Sequence, residues 1–196
     1  MELPVYLDNL ATTRVDPAVL EAMLPWFTRE YGNPASRTHA FGWRAAEAVE
    51  IARAEVASLI GARQPREILF TSGATEANNL AILGATAAYR DRGDHLITQA
   101  TEHRSVLDPT AGLARGGFTV TVLPVDGHGR VDPEAVRAAL TPRTVLISVM
   151  AANNEVGTLQ PLAGIAAVAR EAGVLLHCDA AQAVGKIPLA VESQGI

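Results

Sequence analysis

The sequence predicts an α/β protein with a mostly parallel central sheet and helices on both faces of that sheet. Two observations support this fold class. Short apolar segments rich in β-branched residues alternate with longer helix-like stretches. Most of the apolar segments are also continuous rather than alternating, which is typical of strands covered on both faces. With 196 residues, of which 48% are hydrophobic, the chain can bury a sizeable core.

The composition argues against nucleic acid and membrane partners. The formal net charge is −5, the pI is near 5.5, and the arginines are scattered rather than clustered on a basic stripe. No apolar run approaches the ~18 residues of a membrane span, and the N-terminus has no charged region followed by an apolar one. We therefore expect a cytoplasmic protein, and the single cysteine, Cys178, fits a reducing compartment.

Capping residues and proline mark the predicted helices. Asp16 is a candidate cap and Pro17 suits the first turn of a helix that we expect to reach about Gly32, with a bend at Pro25. A longer helix is predicted over residues 39–60. Further helices are expected at residues 74–90, 105–115, 133–140 and 162–172.

Five strands are predicted, each followed by a loop. The strands are expected at residues 67–71, 95–99, 118–124, 144–150 and 174–179. Ligands of such sheets bind beyond the carboxyl ends of the strands, so the loops at those ends are the candidate site. Four of these loops are rich in polar residues, at residues 72–76, 101–103, 153–155 and 179–182.

The loop after the first predicted strand is a candidate phosphate site. Its sequence Ser-Gly-Ala-Thr, at residues 72–75, opens directly into a predicted helix, whose first N–H groups and dipole favour an anion. The loop is neither a Walker A motif nor a three-glycine dinucleotide fingerprint. An ordinary strand-to-helix turn capped by serine or threonine explains the same residues.

Asp179 is a candidate partner for a cation. It ends a buried apolar strand, where a carboxylate is costly unless a cation or several donors compensate it. The protonated pyridine nitrogen of pyridoxal 5'-phosphate is such a cation, and keeping that nitrogen protonated lets the ring withdraw electrons. The alternative is that Asp179 caps the following turn.

Three further side chains at the same edge could contact an aromatic cofactor. His103 could stack on a ring and exchange protons near neutral pH, although a surface or capping histidine is the alternative. Asn154 and Gln182 carry amides that could bond a phenolic oxygen, but amides that satisfy loop backbone fit equally well.

A metal site is not predicted. In the sequence His177-Cys178-Asp179, neighbouring strand residues point to opposite faces, and no second Cys or His pair has ligand spacing. A cysteine inside an apolar strand is usually unreactive packing, so we do not expect Cys178 to be a nucleophile.

Taken together, the motifs resemble those of the cysteine desulfurases within the class V group of pyridoxal-phosphate enzymes. The resemblance spans nearly the whole chain and keeps the order of the motifs. The matching segments lie at residues 6–9, 11–13, 31–36, 70–80, 101–103, 153–157 and 177–182.

The resemblance implies both a fold and site residues. The implied fold is the large domain of fold-type I pyridoxal-phosphate transferases, incomplete at its C-terminus, with residues 16–196 in that domain and residues 1–15 packing with a small C-terminal domain. The implied cofactor contacts are Ala74 and Thr75 to the phosphate, His103 to the ring and its protons, Asp179 to the ring nitrogen, and Asn154 and Gln182 to the ring and its phenolic oxygen.

The resemblance also implies an activity and partners. Members take sulfur from L-cysteine as an enzyme persulfide, release L-alanine, and pass the sulfur to iron–sulfur scaffold or thiolation proteins; they are homodimers. The cofactor-linked lysine and the persulfide cysteine of the family match no residue of this chain, because Lys186 and Cys178 lie at other motif positions. We therefore expect the chain to be inactive alone and to expose apolar surface that favours self-association.

Two alternatives to a cysteine desulfurase stay open. The chain could belong to a selenocysteine lyase or another class V aminotransferase. It could also be a non-catalytic remnant or interaction fragment.

Overall fold

The structure, a computed structural model, describes residues 4–196, so residues 1–3 of the predicted N-terminal segment lie outside the described part. The chain divides into two compact units. One unit contains the chain up to Ser58 together with Gln64–Ile68, and the other contains Leu59–Arg63 and Leu69–Ile196. The proposed boundary between residues 15 and 16 stays a prediction.

Helix α1, Pro17–Thr28, opens as predicted but ends early. Asp16 caps it, with a side-chain oxygen 2.8 Å from the backbone nitrogen of Ala18. The prediction that the helix reaches Gly32 is wrong. The backbone N–H groups of residues 29 and 30 both donate to the Pro25 carbonyl oxygen, at 2.8 Å each, and this tightened last turn closes the helix.

Helix α2, Ala40–Ile60, has nearly the predicted length. It stops where Gly61 adopts φ of 65°, a left-handed conformation that glycine reaches at little cost.

The second unit contains a four-stranded parallel sheet in the order β2-β1-β3-β4. Its strands are β1 (His95–Gln99), β2 (Thr119–Leu123), β3 (Thr144–Ser148) and β4 (Leu175–His177). Its helices are α3 (Ala74–Ala88), α4 (Arg104–Arg115), α5 (Pro133–Ala139), α6 (Leu162–Ala172) and α7 (Val191–Gln194). The predicted α/β class and parallel sheet are confirmed, and only α7 had no counterpart in the sequence prediction, because four residues are too short to show a period.

Helices cover both faces of the sheet. Neighbouring residues of β1 divide between two hydrophobic cores, because successive strand side chains alternate. Ile97 packs with Ile147 and with residues of α5 and α6, while Leu96 packs with Leu146 and with residues of α3 and α4. The two central strands, β1 and β3, are buried along their whole length.

The predicted strand at residues 67–71 is wrong. Pro65–Glu67 forms a 3₁₀ turn, and none of the four described strands pairs with the residues that follow it. A strand needs a neighbour to satisfy its backbone, and here the Arg53 guanidinium donates to the carbonyl oxygen of Ile68 instead. Leu69 is left 68% exposed.

None of the helices within residues 4–196 combines the length and the apolar character that crossing a bilayer needs.

Candidate functional site

The candidate site lies at the carboxyl edge of the sheet, between β1 and β3. The chain leaves β1 toward one side of the sheet and β3 toward the other, which makes this the switch point where open parallel sheets bind ligands. The loops that follow the two strands are held together here, because Asn153 Nδ2 donates to the Thr101 carbonyl oxygen at 2.9 Å.

Asp179 is buried at this edge, with 8% of its surface exposed. Its Oδ2 accepts a hydrogen bond from Asn78 Nδ2 at 2.8 Å, and its Oδ1 accepts one from the Ala181 backbone N–H at 3.0 Å. Within residues 4–196, no Lys, Arg or His side chain forms an ion pair with it. A buried carboxylate held by neutral donors alone suits a further cationic partner, so the residue fits a protonated pyridine nitrogen.

His103 lies on the surface as the N-cap of α4. Its Nδ1 accepts a hydrogen bond from the Ser105 backbone N–H at 3.1 Å and lies 2.8 Å from Ser105 Oγ. The capping role that the sequence left open is therefore present. It uses only Nδ1, and Nε2 has no hydrogen-bond partner in the described part of the chain, so the imidazole keeps one nitrogen for a ligand.

A continuous line of hydrogen bonds joins Asp179 to His103. Asn78 Nδ2 lies 2.8 Å from Asp179 Oδ2 and 2.9 Å from Ser105 Oγ, and Ser105 Oγ lies 2.8 Å from His103 Nδ1. The structure thus brings two of the predicted site residues together through two side chains that the sequence analysis did not single out.

The N-terminus of α3 has the features of a phosphate site. Its N-cap residue is Gly73, and no side chain caps the first turn. The Ser72 hydroxyl and backbone N–H both donate to Glu76 Oε2, at 2.6 and 2.7 Å, and these bonds lower the pKa of the Glu76 carboxyl. The predicted alternative, a serine or threonine cap, is absent. A Cβ placed on Gly73 would meet nothing within 4 Å, so the approach to the first backbone N–H groups of α3 is open.

Thr75 and His103 line one open cleft of about 530 Å³. Asn79, on α3, ties the two sides of this cleft together, because its Nδ2 lies 2.8 Å from the Thr75 carbonyl oxygen and 3.4 Å from that of Ser105. One proposed phosphate contact, Thr75, and one proposed ring contact, His103, therefore share a cleft.

Asn154 and Gln182 are half-buried, and their predicted ring contacts stay predictions. Gln182 Oε1 accepts a hydrogen bond from Lys186 Nζ at 2.9 Å. Asn154 has no hydrogen bond to another candidate residue among residues 4–196. Its neighbour Asn153 shapes the loop, because its Oδ1 accepts hydrogen bonds from the backbone N–H groups of Glu155 and Val156, at 2.9 and 3.0 Å.

Glu102 is a buried carboxyl that the sequence analysis missed, with 6% of its surface exposed. Its Oε1 accepts hydrogen bonds from the Met150 backbone N–H at 2.6 Å and from Gln99 Nε2 at 2.9 Å. Its Oε2 has no partner in the described part of the chain. Burial, with a smaller contribution from the charge of Asp179, raises the pKa of Glu102 to about 7 although the two hydrogen bonds act to lower it.

Cys178 has the environment expected of a packing residue. Burial, and secondarily the nearby carboxylates, raise the pKa of its thiol to about 12, so almost no thiolate forms near neutral pH. Burial lowers the pKa of neighbouring His177, whose Nδ1 lies 2.8 Å from Ser148 Oγ. Residues 4–196 contain no group of three metal-ligating side chains, and the absence of a bound metal stays a prediction.

Comparison with known proteins assigns the chain to a family. Residues 5–196 match the family model described as aminotransferase class-V, and the chain belongs to that family. Within the family, the chain is 58% identical over all of its 196 residues to the cysteine desulfurase IscS of Anaeromyxobacter sp. (strain K), of which this region makes up 48%. The chain spans about half the length of the curated relatives it matches.

Solved structures confirm the fold-type I architecture. A NifS-like protein superposes with a TM-score of 0.94 at 40% identity, over 99% of this chain and 53% of its own. A structure described as SspA in complex with cysteine superposes with a TM-score of 0.91 at 39% identity, over 95% of this chain and 53% of its own.

Three residues that the sequence analysis did not assign contribute to the site. Asn78 lies at a buried position of α3, but nothing in the sequence marks that burial, because the helix carries other polar residues such as Asn79 and Thr86. Ser105 and Glu102 lie within two residues of His103. Their spacing alone does not show whether they bond to other site residues, cap a helix or face solvent.

Proposed function

We propose that this chain forms the cofactor-binding part of a pyridoxal-phosphate-dependent cysteine desulfurase. The reaction is L-cysteine plus an enzyme thiol giving L-alanine plus an enzyme persulfide, so one sulfur atom moves and no external oxidant is needed. The observation that carries the proposal is Asp179, a buried carboxylate with neutral donors only, at a sheet edge shared with His103.

Each proposed site residue has its own part in holding the cofactor. Pyridoxal phosphate, when bound, would supply an electron-withdrawing ring to the reaction. Asp179 holds the protonated ring nitrogen, and the N–H groups at Ala74 and Thr75 with the Thr75 hydroxyl hold the phosphate. His103 covers the ring and exchanges a proton with the substrate at Nε2. Asn154 and Gln182 bind the ring and its phenolic oxygen.

The relatives support L-cysteine as the substrate. The relative from Anaeromyxobacter is named a cysteine desulfurase, and SspA was solved in complex with cysteine. The family assignment alone also fits a selenocysteine lyase or another class V aminotransferase, but the matches at 58% and 54% identity are to cysteine desulfurases. We further propose an iron–sulfur scaffold or another sulfur-acceptor protein as partner, a homodimeric complete enzyme, and a cytoplasmic location.

Neither Lys186 nor Cys178 is proposed for the covalent steps. Lys186 is exposed, and its Nζ donates a hydrogen bond to Gln182 Oε1. The Cys178 thiol stays protonated near neutral pH. We expect the 196-residue polypeptide alone to bind the cofactor without desulfurating cysteine. If it is a non-catalytic remnant, no companion polypeptide that carries the family's cofactor-linked lysine will restore activity.

Cofactor binding to this chain and to Asp179→Ala tests the proposal. We expect a specific complex with pyridoxal phosphate, followed by absorbance, that Asp179→Ala weakens by about 3–5 kcal/mol because a buried charge loses its partner. Asp126→Ala is the matched control, since Asp126 lies exposed in a turn and caps the backbone N–H groups of His128 and Arg130. Equal affinity of parent and Asp179→Ala contradicts the assignment of Asp179.

Borohydride reduction and peptide mapping complete the same experiment. We expect no specific adduct, because the proposed cofactor contacts of this chain are non-covalent. A stoichiometric adduct on Lys186 would overturn the view that this lysine takes no part.

A further inference from the structure

Asn78 is a buried amide whose orientation is fixed by its neighbours. The side chain lies on α3 with 4% of its surface exposed, and its Nδ2 contacts both Asp179 Oδ2 and Ser105 Oγ. An ionised carboxylate can only accept hydrogen bonds, so the amide nitrogen must face Asp179. Its two hydrogens are then both used, one for each neighbour.

The direction of the remaining bonds follows from that orientation. Ser105 Oγ accepts from Asn78, so its own hydrogen is free to point at His103 Nδ1, 2.8 Å away. The Ser105 backbone N–H donates to the same nitrogen at 3.1 Å. With two donors aimed at Nδ1, the proton of the neutral imidazole lies on Nε2.

We propose that Asn78 and Ser105 are positioning residues for the cofactor ring. They orient the Asp179 carboxylate toward the ring nitrogen and hold His103 in the tautomer whose Nε2 carries the proton. This inference rests on the proposed function, since it requires a pyridine ring between Asp179 and His103. It goes further by assigning roles to two residues that touch neither the ring nor the substrate.

The arrangement suits Asp179 to a cation in particular. Each of its oxygens accepts one neutral donor, from Asn78 and from the Ala181 backbone. A carboxylate has about four acceptor positions, so two remain for a cationic donor. Because neither donor carries a charge, the carboxylate is held in place while its negative charge stays uncompensated for the ring.

The histidine tautomer can be measured without cofactor. In the ¹⁵N-histidine-labelled chain, NMR shifts distinguish protonated from unprotonated ring nitrogens, and His103→Asn assigns the signal among the five histidines. We expect His103 to carry its proton on Nε2 in the parent and in Ser105→Thr, which keeps the hydroxyl. Ser105→Ala should shift part of the population to the Nδ1 tautomer.

Binding of a cofactor analogue tests the link to Asp179. Deoxypyridoxine 5'-phosphate has the ring and the phosphate but cannot link covalently to an amine. We expect Asn78→Leu and Ser105→Ala to weaken its binding by about tenfold and threefold, while inorganic phosphate binds as to the parent. Thr110→Val is the matched control, because it removes a buried hydroxyl on α4 whose partner within residues 4–196 is the Leu107 carbonyl oxygen.

The outcomes separate the two proposals. If the parent binds the analogue no better than inorganic phosphate, the proposed cofactor role fails, and the tautomer measurement still tests the hydrogen-bond line. If the parent binds the analogue and both variants keep its affinity and tautomer, the positioning role is overturned. Equal loss of analogue and phosphate binding also overturns it, since that marks a general structural defect. If Asn78→Leu does not fold, the comparison of Ser105→Ala with Ser105→Thr tests the positioning role.

Discussion

At the scale of single residues, the site edge holds two buried carboxyl groups with different partners. Asp179 accepts hydrogen bonds on both oxygens, whereas Glu102 Oε2 has no partner among residues 4–196. Two charges are hard to hold close together in a medium of low dielectric constant, and the charge of Asp179 adds to the burial that raises the Glu102 pKa. With a pKa of about 7, the Glu102 carboxyl is mostly protonated below neutral pH.

This pKa predicts how stability varies with pH. The pKa of Glu102 is about 7 in the folded state, whereas an unperturbed glutamate has a pKa of 4.5. Across that window the folded state binds more protons, so the free energy of unfolding falls as the pH rises, by about 3 kcal/mol in total. Relative to the parent, Glu102→Gln should hardly change the free energy of unfolding at the acid end of this window and should increase it above pH 7. Urea unfolding measures both values.

The difference between parent and variant isolates Glu102 from other titrating groups. Burial lowers the pKa values of His95 and His177, which makes stability rise with pH over part of the same window, but this contribution cancels in the difference. Glu155→Gln, at an exposed loop position, is the control and should leave the pH dependence unchanged. A pH-independent difference for Glu102→Gln would show that Glu102 is ionised in the folded state.

Site residues were predictable where polarity followed an apolar strand. Asp179 and His103 stand directly after such strands, and the structure places both at one edge. Asn78 escaped because it lies inside a helix, where an asparagine is ordinary unless its burial is known.

At the scale of elements, local sequence builds the N-terminus of α3, which is the proposed anion site. Gly73 leaves the first turn open, and Glu76 engages Ser72 rather than the helix N–H groups. The proposed phosphate therefore meets backbone donors and the Thr75 hydroxyl.

Removing that hydroxyl should weaken phosphate binding moderately. Thr75→Val keeps the shape and deletes one charge-assisted hydrogen bond, so we expect a loss of about 1.5–3 kcal/mol in binding of the phosphate-bearing analogue, by calorimetry. Thr110→Val should bind like the parent. Full affinity in Thr75→Val would mean that the backbone alone holds the phosphate.

Two elements differed from their predictions for reasons that the local pattern does not contain. Residues 67–71 have the composition of a strand, but no described strand pairs with them. Helix α1 ends at Thr28 because two N–H groups converge on the Pro25 carbonyl oxygen. The apolar pattern indicates which residues could form a strand, but pairing with a neighbouring strand decides whether they do.

At the scale of the whole molecule, both compact units expose large apolar side chains. Phe27 is 71% exposed in the first unit, and Leu69 is 68% exposed in the second. Isolated apolar residues are normal on a surface, but many together mark an interaction surface. Helix α1 has no buried residue at all.

These exposed apolar side chains predict self-association of the 196-residue chain. Sedimentation velocity should show a concentration-dependent shift to larger species, which Phe27→Ser and Leu69→Ser each reduce because they remove exposed apolar area. Ala111→Ser changes an exposed side chain of α4 without removing a large apolar group and should have no effect. A monomer at all concentrations would contradict the expectation.

The sequence by itself determined the α/β class, most element positions, and the identity of Thr75, His103 and Asp179 as site candidates, because periodicity, caps and turns are local. Only the tertiary structure decided which of them meet. Asn78 reaches a serine 27 residues away and an aspartate 101 residues away. The raised pKa of Glu102 likewise comes from burial under distant chain. Such contacts depend on how the elements pack, which no local pattern encodes.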